Sequence, residues 1–261
     1  MNNYIVIKIG GKPANDQTVL DALVGEIGEL ATLGKAGEKT IPVLVHGGGA
    51  DVTELSKRLG LEPTFVGGKR MTSVAEMQIV EAVLAGNVNC RILRRFVAAG
   101  VKAIGLSGVD SGLFTGESID AGSRTGSITA TRPAVLQDLG AAGYISVVSS
   151  ISCEADGSAG LNINADDAAM AIAVALKAAC LVFLSDIPGI LKAGQVLDTI
   201  TPAIAEAEIA AGVISGGMIP KIRSSLGALQ EGIGRVVIGG YGHSGDLKAF
   251  LAGRQGTSII T

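Results

Sequence analysis

The sequence predicts an α/β fold, a mostly parallel sheet covered by helices on both faces, and three observations carry that reading. Short apolar, β-branched runs alternate with longer amphipathic stretches along the whole chain, the rhythm of strand–helix–strand units. Such units join parallel strands, and a parallel sheet buries both of its faces. The composition agrees: 48% hydrophobic residues, 38 glycines, 3% aromatics and no tryptophan suit Val/Ile strands, Ala-rich helices and Gly-rich turns. At 261 residues the chain is long enough for one large domain, or two lobes, around a sizeable core.

The first strand is expected at residues 4–9. In "IVIKIGGK", residues 5–12, four of the first five residues are branched apolar, yet Lys8 stands just before the break at Gly10-Gly11. An ammonium in a buried strand is costly unless it is paired, hydrated or placed to meet an anion. Either Lys8 reaches water along a buried stem or a charge awaits it. Val19, Leu20, Leu23, Val24, Ile27 and Leu30 then recur at helical spacing. A second strand at 41–46 runs through "VLVHGGGADVTEL" straight into a helix, and Met77, Val80, Glu81 and Leu84 mark another helix less cleanly. Strand 101–106 is followed by the Gly/Ser/Thr-rich region 108–132, which reads as inserted hairpins, and then by strand 144–151. "EADGSAG" at 154–160 is a surface turn; two lobes sharing one sheet, 1–160 and 161–261, are expected to divide near it. Helices at 164–177, 202–211 and 219–230 and strands at 180–184 and 235–239 complete the second lobe.

Residues 168–184 are apolar but for Lys177 and nearly long enough to cross a bilayer. A lysine near the membrane centre costs roughly 2.5–3.5 kcal/mol on insertion scales. The stretch also turns from Ala-rich to a compact "CLVFL" run, so a buried helix followed by a buried strand is expected, and no membrane contact. The net charge of −3, the pI near 5.5 and the scarcity of aromatic stacking platforms argue against nucleic-acid binding. Cys90, Cys153 and Cys180 are odd in number and form no CxxC pair, so neither disulfides nor a zinc site are expected, and no metal is assigned to protein ligands. Without a basic stretch followed by an apolar one at the N-terminus, a cytoplasmic location is expected.

Several motifs fail on their context. "GYGHSG" at 240–245 follows a strand, but sixteen residues after it leave no room for the rest of a dinucleotide-binding unit. "HGGG" at 46–49 resembles an esterase oxyanion loop, yet no G-x-S-x-G elbow accompanies it. No Gly-Lys pair is followed by Ser or Thr, so a P-loop is missing. What survives is a set of three Gly-rich loops, "KIGG", "VLVHGGGADVTEL" and "SGGMIPKIRSSL", with Lys8 and Lys221 beside two of them. Glycines let backbone N–H groups approach an anion and helix N-termini favour negative charge, so an anion site is expected where these loops meet. In "NINADDAAMAIAVAL", Asn164 caps a helix and Asp167 complements its positive end, whereas Asp166 either does the same or turns to the cations.

"IVIKIGGK", "VLVHGGGADVTEL", "GGKRMT", "LAGNVN", "GYISVVSSI", "LNINADDAA", "LSDIPGI" and "SGGMIPK" occur in this order across the chain. Together they resemble the amino acid kinase family, over nearly all of the 261 residues. The resemblance implies a three-layer αβα sandwich whose N-terminal lobe holds an amino acid and whose C-terminal lobe holds ATP. It implies phosphorylation of the side-chain carboxylate of N-acetyl-L-glutamate by MgATP, the Mg2+ being carried by the nucleotide phosphates, to give the acyl phosphate used in arginine synthesis. By that resemblance Lys8 and Lys221 match the family's transition-state lysines, Asp166 the acid that orients them, and Gly10 and Gly11 lie beside them as N–H donors. Gly48, Gly49, Arg70 and Asn162 match its substrate contacts; Ser185, Asp186, Ile187, Pro188, Gly189 and Ile190, with Val213, Ile214 and Ser215, match its nucleotide loops. A first strand starting near residue 4 matches the short, arginine-insensitive homodimers rather than the hexamers with an extra N-terminal helix. The chemistry is consistent with the lack of a placed histidine, since a carboxylate acceptor is already ionised and needs no general base. A kinase acting on carrier-linked aminoadipate or glutamate and a non-catalytic nucleotide sensor are the alternatives.

Overall fold

The computed structural model of the chain describes residues 2–32, 39–66 and 69–261; Gly67 and Gly68 of "GGKRMT" lie outside the described residues. The chain opens with β1 (Asn2–Ile9), α1 (Lys12–Asn15), α2 (Gln17–Thr32), β2 (Lys39–His46) and α3 (Gly49–Arg58). A hairpin of β3 (Thr64–Val66) and β4 (Lys69–Met71) precedes α4 (Val74–Glu81), a π-helical stretch (Ala82–Val88) and α5 (Asn89–Ala98). Next come β5 (Ala103–Ser107), β6 (Phe114–Ser118), β7 (Thr125–Thr131), α6 (Ala134–Ala141), β8 (Ile145–Ser149), β9 (Ile151–Cys153) and β10 (Gly160–Ile163). Then follow α7 (Ala165–Leu176), β11 (Cys180–Ser185) and the short strands β12 (Leu191–Lys192), β13 (Gln195–Val196) and β14 (Thr199–Ile200). The last elements are α8 (Pro202–Ala210), α9 (Met218–Gln230), β15 (Val236–Gly240), α10 (Asp246–Leu251) and β16 (Thr257–Ile259).

Eight strands form one sheet in the order β14-β16-β15-β11-β1-β2-β8-β5, with every neighbouring pair parallel except β15–β16. The first strand of the sequence is therefore central, held by β2 on one edge and by β11 on the other. Its side chains alternate between two cores, as the period of a strand dictates. Tyr4 and Val6 pack with residues of α6 to α9, whereas Ile5, Ile7 and Ile9 pack with α2, α4, α5 and α10. The result is the expected three-layer sandwich. Phe183 and Phe250, both essentially inaccessible to solvent, anchor one core each. No helix is long and apolar enough to cross a membrane among the described residues.

A second sheet, β6-β7-β10-β9, stands outside the first, with antiparallel outer pairs and β7 parallel to β10. The hairpins expected at 108–132 are β6 and β7 within it. The strand expected at 144–151 is split, because β8 pairs in the large sheet and β9 in the small one. "EADGSAG" is the turn of the β9–β10 hairpin, closed by Glu154 N–H donating to Ala159 O at 2.9 Å. The blurred periodicity near residues 77–84 has a physical cause: the π-helical stretch inserts extra residues per turn, so the apolar stripe slips between α4 and α5.

Candidate active site

Lys8 continues the Tyr4–Val6 row of β1, so the alternation that buries its neighbours aims it at the α7–α9 layer. There it meets Asp166. Asn164 caps α7, its side-chain oxygen accepting from the N–H groups of Asp166 at 2.8 Å and Asp167 at 3.3 Å. That cap holds Asp166 in the first turn with its carboxylate towards the sheet. Lys8 Nζ lies 2.9 Å from Asp166 Oδ1 and Lys221 Nζ lies 2.9 Å from Oδ2, the three side chains being 17%, 30% and 21% exposed for Lys8, Asp166 and Lys221. Oδ1 is sealed from solvent and meets the Lys8 ammonium. Burial alone would raise the Asp166 pKa, but the two ammonium groups outweigh it and hold the carboxyl below its usual range.

Lys221 stands in the first turn of α9, where the helix dipole disfavours a cation. Two features offset this: the Asp166 carboxylate and the ring of Phe183, whose centroid lies 4.6 Å from the ammonium. Phe183 of β11 is directly opposite Lys8 in the sheet, so one register places both lysines over one carboxylate. The cluster carries a net positive charge next to the Gly10-Gly11 turn. A methyl group on Gly10 would come within 2.7 Å of Lys8 Nζ, so only glycine leaves the ammonium its place. Gly11 has φ 59° and sits against the Asp186 carboxylate.

A cleft of about 260 Å³ opens from Lys8 between the carboxyl ends of β1 and β2 and the small sheet, walled by Gly10, Gly48, Gly49, Arg70, Asn162 and Asp166 among others. His46 ends β2 beneath it, fully buried. Its Nδ1–H donates to Gly47 O at 2.9 Å while Nε2 accepts from the Asn89 amide at 3.0 Å, an arrangement that fixes the neutral tautomer. Burial pushes its pKa down to about 4, the Gly47 bond opposing only part of the effect. Asn89 also donates to Val147 O at 3.0 Å, so the start of the glycine loop is tied to β8. Gly48 packs so closely that a Cβ would lie 2.7 Å from Leu84 and 3.0 Å from Val88.

Arg70, on β4, reaches the cleft with its charge already answered. Nη1 donates to Glu76 Oε1 at 2.7 Å, with side chains 7% and 5% exposed. Nη2 donates to Gly49 O at 3.0 Å and to Thr53 Oγ1, and the guanidinium lies 4.9 Å from the Phe65 ring centroid. "SVAE" at 73–76 has the spacing of a capping box, and Ser73 does accept from Glu76 N–H. The Glu76 carboxylate, however, turns to Arg70. Asn162 is linked to Arg70 by a buried chain: Asn162 Nδ2 donates to Thr72 Oγ1 at 2.8 Å, Thr72 N–H to Thr125 Oγ1 at 2.8 Å, and that hydroxyl to Arg70 O at 2.6 Å.

The loops singled out for nucleotide are less closely grouped. Ser185, Asp186 and Pro188 line a cleft of about 780 Å³ with residues of β15, α10 and the turn between them. Asp166 and Lys221 also line a third cleft of about 1020 Å³ between α7, α9 and β7. Ile190 is buried, its N–H donating to Thr257 Oγ1 at 2.8 Å, and Ile187 is half-exposed. Gly189 lies so close to Val196 and Thr257 that no side chain fits. Val213, Ile214 and Ser215 form the turn from α8 to α9, with Ile214 buried in the core, and lie outside the walls of these three clefts. Among the described residues no group of three or more His, Cys, Asp or Glu is placed to hold a metal ion. Sequence reasoning missed Phe183, Glu76, Asn89 and Thr125. Glu76 had a local signal, its spacing from Ser73, and Asn89 ends the motif "LAGNVN"; Phe183 and Thr125 follow from register and packing.

The profile of the Amino acid kinase family matches residues 3–240. The chain is 44% identical over 243 residues to the acetylglutamate kinase of Chloroflexus aurantiacus, covering 91% of this chain and 92% of that one. It is 41% identical to the acetylglutamate kinase of a Roseiflexus species, over 98% and 93% of the two chains. The crystal structure of smu.665 from Streptococcus mutans superposes with a TM-score of 0.79 at 28% identity, covering 98% of each chain.

Proposed function

Because the chain belongs to the amino acid kinase family, we propose that it transfers the terminal phosphoryl group of ATP to the side-chain carboxylate of N-acetyl-L-glutamate, the acyl-phosphate step of arginine synthesis. The observation that carries this reading is the pair of ammonium groups held 2.9 Å either side of one carboxylate beside a glycine turn. Joining a carboxylate to ATP brings anions together, so catalysis is positioning and charge stabilisation. Lys8 and Lys221 compensate the phosphoryl group in flight, Asp166 holds them apart and in place, and the N–H groups of the Gly10-Gly11 turn add donors. Arg70, Asn162, Gly48 and Gly49 hold the acetylated amino acid. ATP, with Mg2+ on its phosphates, lies against Ser185–Ile190 and Val213–Ser215. In this reading residues 1–160, joined by Asn162, bind the amino acid, the rest of 161–261 binds the nucleotide, and the active species is a cytoplasmic homodimer.

The test is ADP release with N-acetyl-L-glutamate, N-acetyl-L-aspartate, N-acetyl-L-aminoadipate and free glutamate, with N-acetyl-L-glutamate giving the highest kcat/KM. Arg70→Lys removes the planar contacts to Glu76, Gly49 and Thr53 that an ammonium cannot reproduce. It should raise KM for the amino acid on the order of tenfold and leave KM for ATP within about twofold. Equal effects on the two constants would remove Arg70 from the amino-acid site.

A further inference from the structure

N-acetyl-L-glutamate brings two carboxylates into the small cleft, and three cations line it: Lys8, Lys69 and Arg70. Lys8 is committed to Asp166 at the phosphoryl end. Arg70 is matched by Glu76 at 2.7 Å with both side chains buried, so this pair is neutral as a unit, and each terminal nitrogen already has a protein acceptor. A substrate carboxylate placed against it alone would leave one uncompensated negative charge in a confined site.

Lys69 is different. It neighbours Arg70 on β4 and lines both the small cleft and the third cleft beside α7. Its ammonium lies 3.1 Å from Asp167 Oδ2, with side chains 52% and 49% exposed. An ion pair so open to water is weak and exchangeable, and lysine is a compact charge on a flexible stem. Asp167 keeps a role without it, in the first turn of α7 at the positive end of that helix.

We infer that Lys69 is a specificity-determining residue that leaves Asp167 to share the α-carboxylate of N-acetyl-L-glutamate with Arg70. The inference rests on the proposed substrate. Once the substrate enters, the Arg70–Glu76 pair supplies direction, Lys69 supplies the missing charge, and Asp167 acts as a resting partner that competes with substrate.

The experiment compares N-acetyl-L-glutamate with 4-acetamidobutyrate, which keeps the acceptor carboxylate and the amide but lacks the α-carboxylate. Lys69→Met should raise KM for N-acetyl-L-glutamate about tenfold, leave KM for ATP within about twofold, and lower the preference for N-acetyl-L-glutamate over 4-acetamidobutyrate about tenfold. Lys69→Arg should recover most of that preference. Asp167→Asn, which frees the lysine, should lower KM for N-acetyl-L-glutamate or leave it as it is. A Lys69→Met enzyme with the wild-type preference overturns the inference, as does an Asp167→Asn enzyme whose KM rises as far as that of Lys69→Met, since the ion pair itself would then be what matters. Wild-type protein with no turnover of N-acetyl-L-glutamate overturns the substrate assignment and this inference together, and is seen before any variant is measured.

Discussion

Asp166 is the residue on which the charge arrangement turns. Its carboxylate separates two ammonium groups that would otherwise repel, and its pKa lies below the usual 3.8 because they outweigh its burial. Asp166→Asn keeps the shape and removes the charge, so kcat should fall on the order of 10²-fold, as for the loss of one preorganised stabilising group. Lys8→Met should do similar damage, and the double variant should be far less impaired than the product of the two effects, because the groups act as a unit. Near-normal kcat in Asp166→Asn would leave the residue as a helix-end charge and nothing more. Linkage separates two pH windows. A depressed carboxyl contributes stability that is full above about 3.8 and is lost as pH falls through its folded value, so urea unfolding should show the wild type losing its margin over Asp166→Asn only below about pH 4. His46 acts higher. Its folded pKa of about 4 lies below the unfolded 6.5, so the unfolded state binds the extra proton and stability falls as pH drops from 6.5 to 4. The loss is roughly 2–4 kcal/mol from the size of that shift. His46→Asn should flatten the unfolding free energy in that window; an unchanged slope would place the dependence on other groups.

Among the elements, α7 joins stability to chemistry through its first residues. Asn164 caps it and thereby fixes Asp166, so Asn164→Ala should cost about 1 kcal/mol and also lower kcat. Thr201 caps α8, which carries none of the three clustered charges, by accepting from Ile204 N–H at 3.4 Å, and Thr201→Ala should lower stability alone. Chemical unfolding and steady-state kinetics on both variants check this; matched losses of kcat would mean that the caps act only through global stability. The central strands were legible because each is a continuous apolar run, and their bounds lie within about two residues of those read from the sequence. The strands β3, β4, β9, β10, β12, β13, β14 and β16 were not. They are two to four residues long, too short for an apolar period to mark them. The same division holds at the site: Lys8, Asp166 and Lys221 stand beside Gly- or Asn-marked element ends that a sequence displays, whereas the contacts of Phe183 with Lys221 and of Glu76 with Arg70 follow from register and packing, which no local pattern carries.

At the scale of the whole molecule, the two halves of the chain share one sheet, with β1 beside β11. A second tie is buried beyond the carboxyl end of β15: Glu26 of α2 accepts from the Tyr241 hydroxyl at 2.7 Å and from Lys248 N–H at 3.1 Å. Burial first, and then Glu26, pushes the Tyr241 pKa up, so this phenol stays neutral and the bond persists at alkaline pH. Thermal unfolding should therefore be a single transition, with far-ultraviolet circular dichroism and the fluorescence of Tyr4, Tyr144 and Tyr241 coincident. Two resolved transitions would mean that the halves unfold as separate bodies. The central place of β1 has a consequence in time. During synthesis β1 emerges long before β11: Cys180, the partner of Ile5, follows about 175 residues later. At about 5–20 residues per second, one hydrogen-bonding edge of β1 waits roughly 10–35 s for its neighbour. Lys8 waits slightly less for Asp166 and longer for Lys221. The nascent chain is thus exposed to wrong pairing through its central strand, and its charge cluster is completed only once Lys221 has been made.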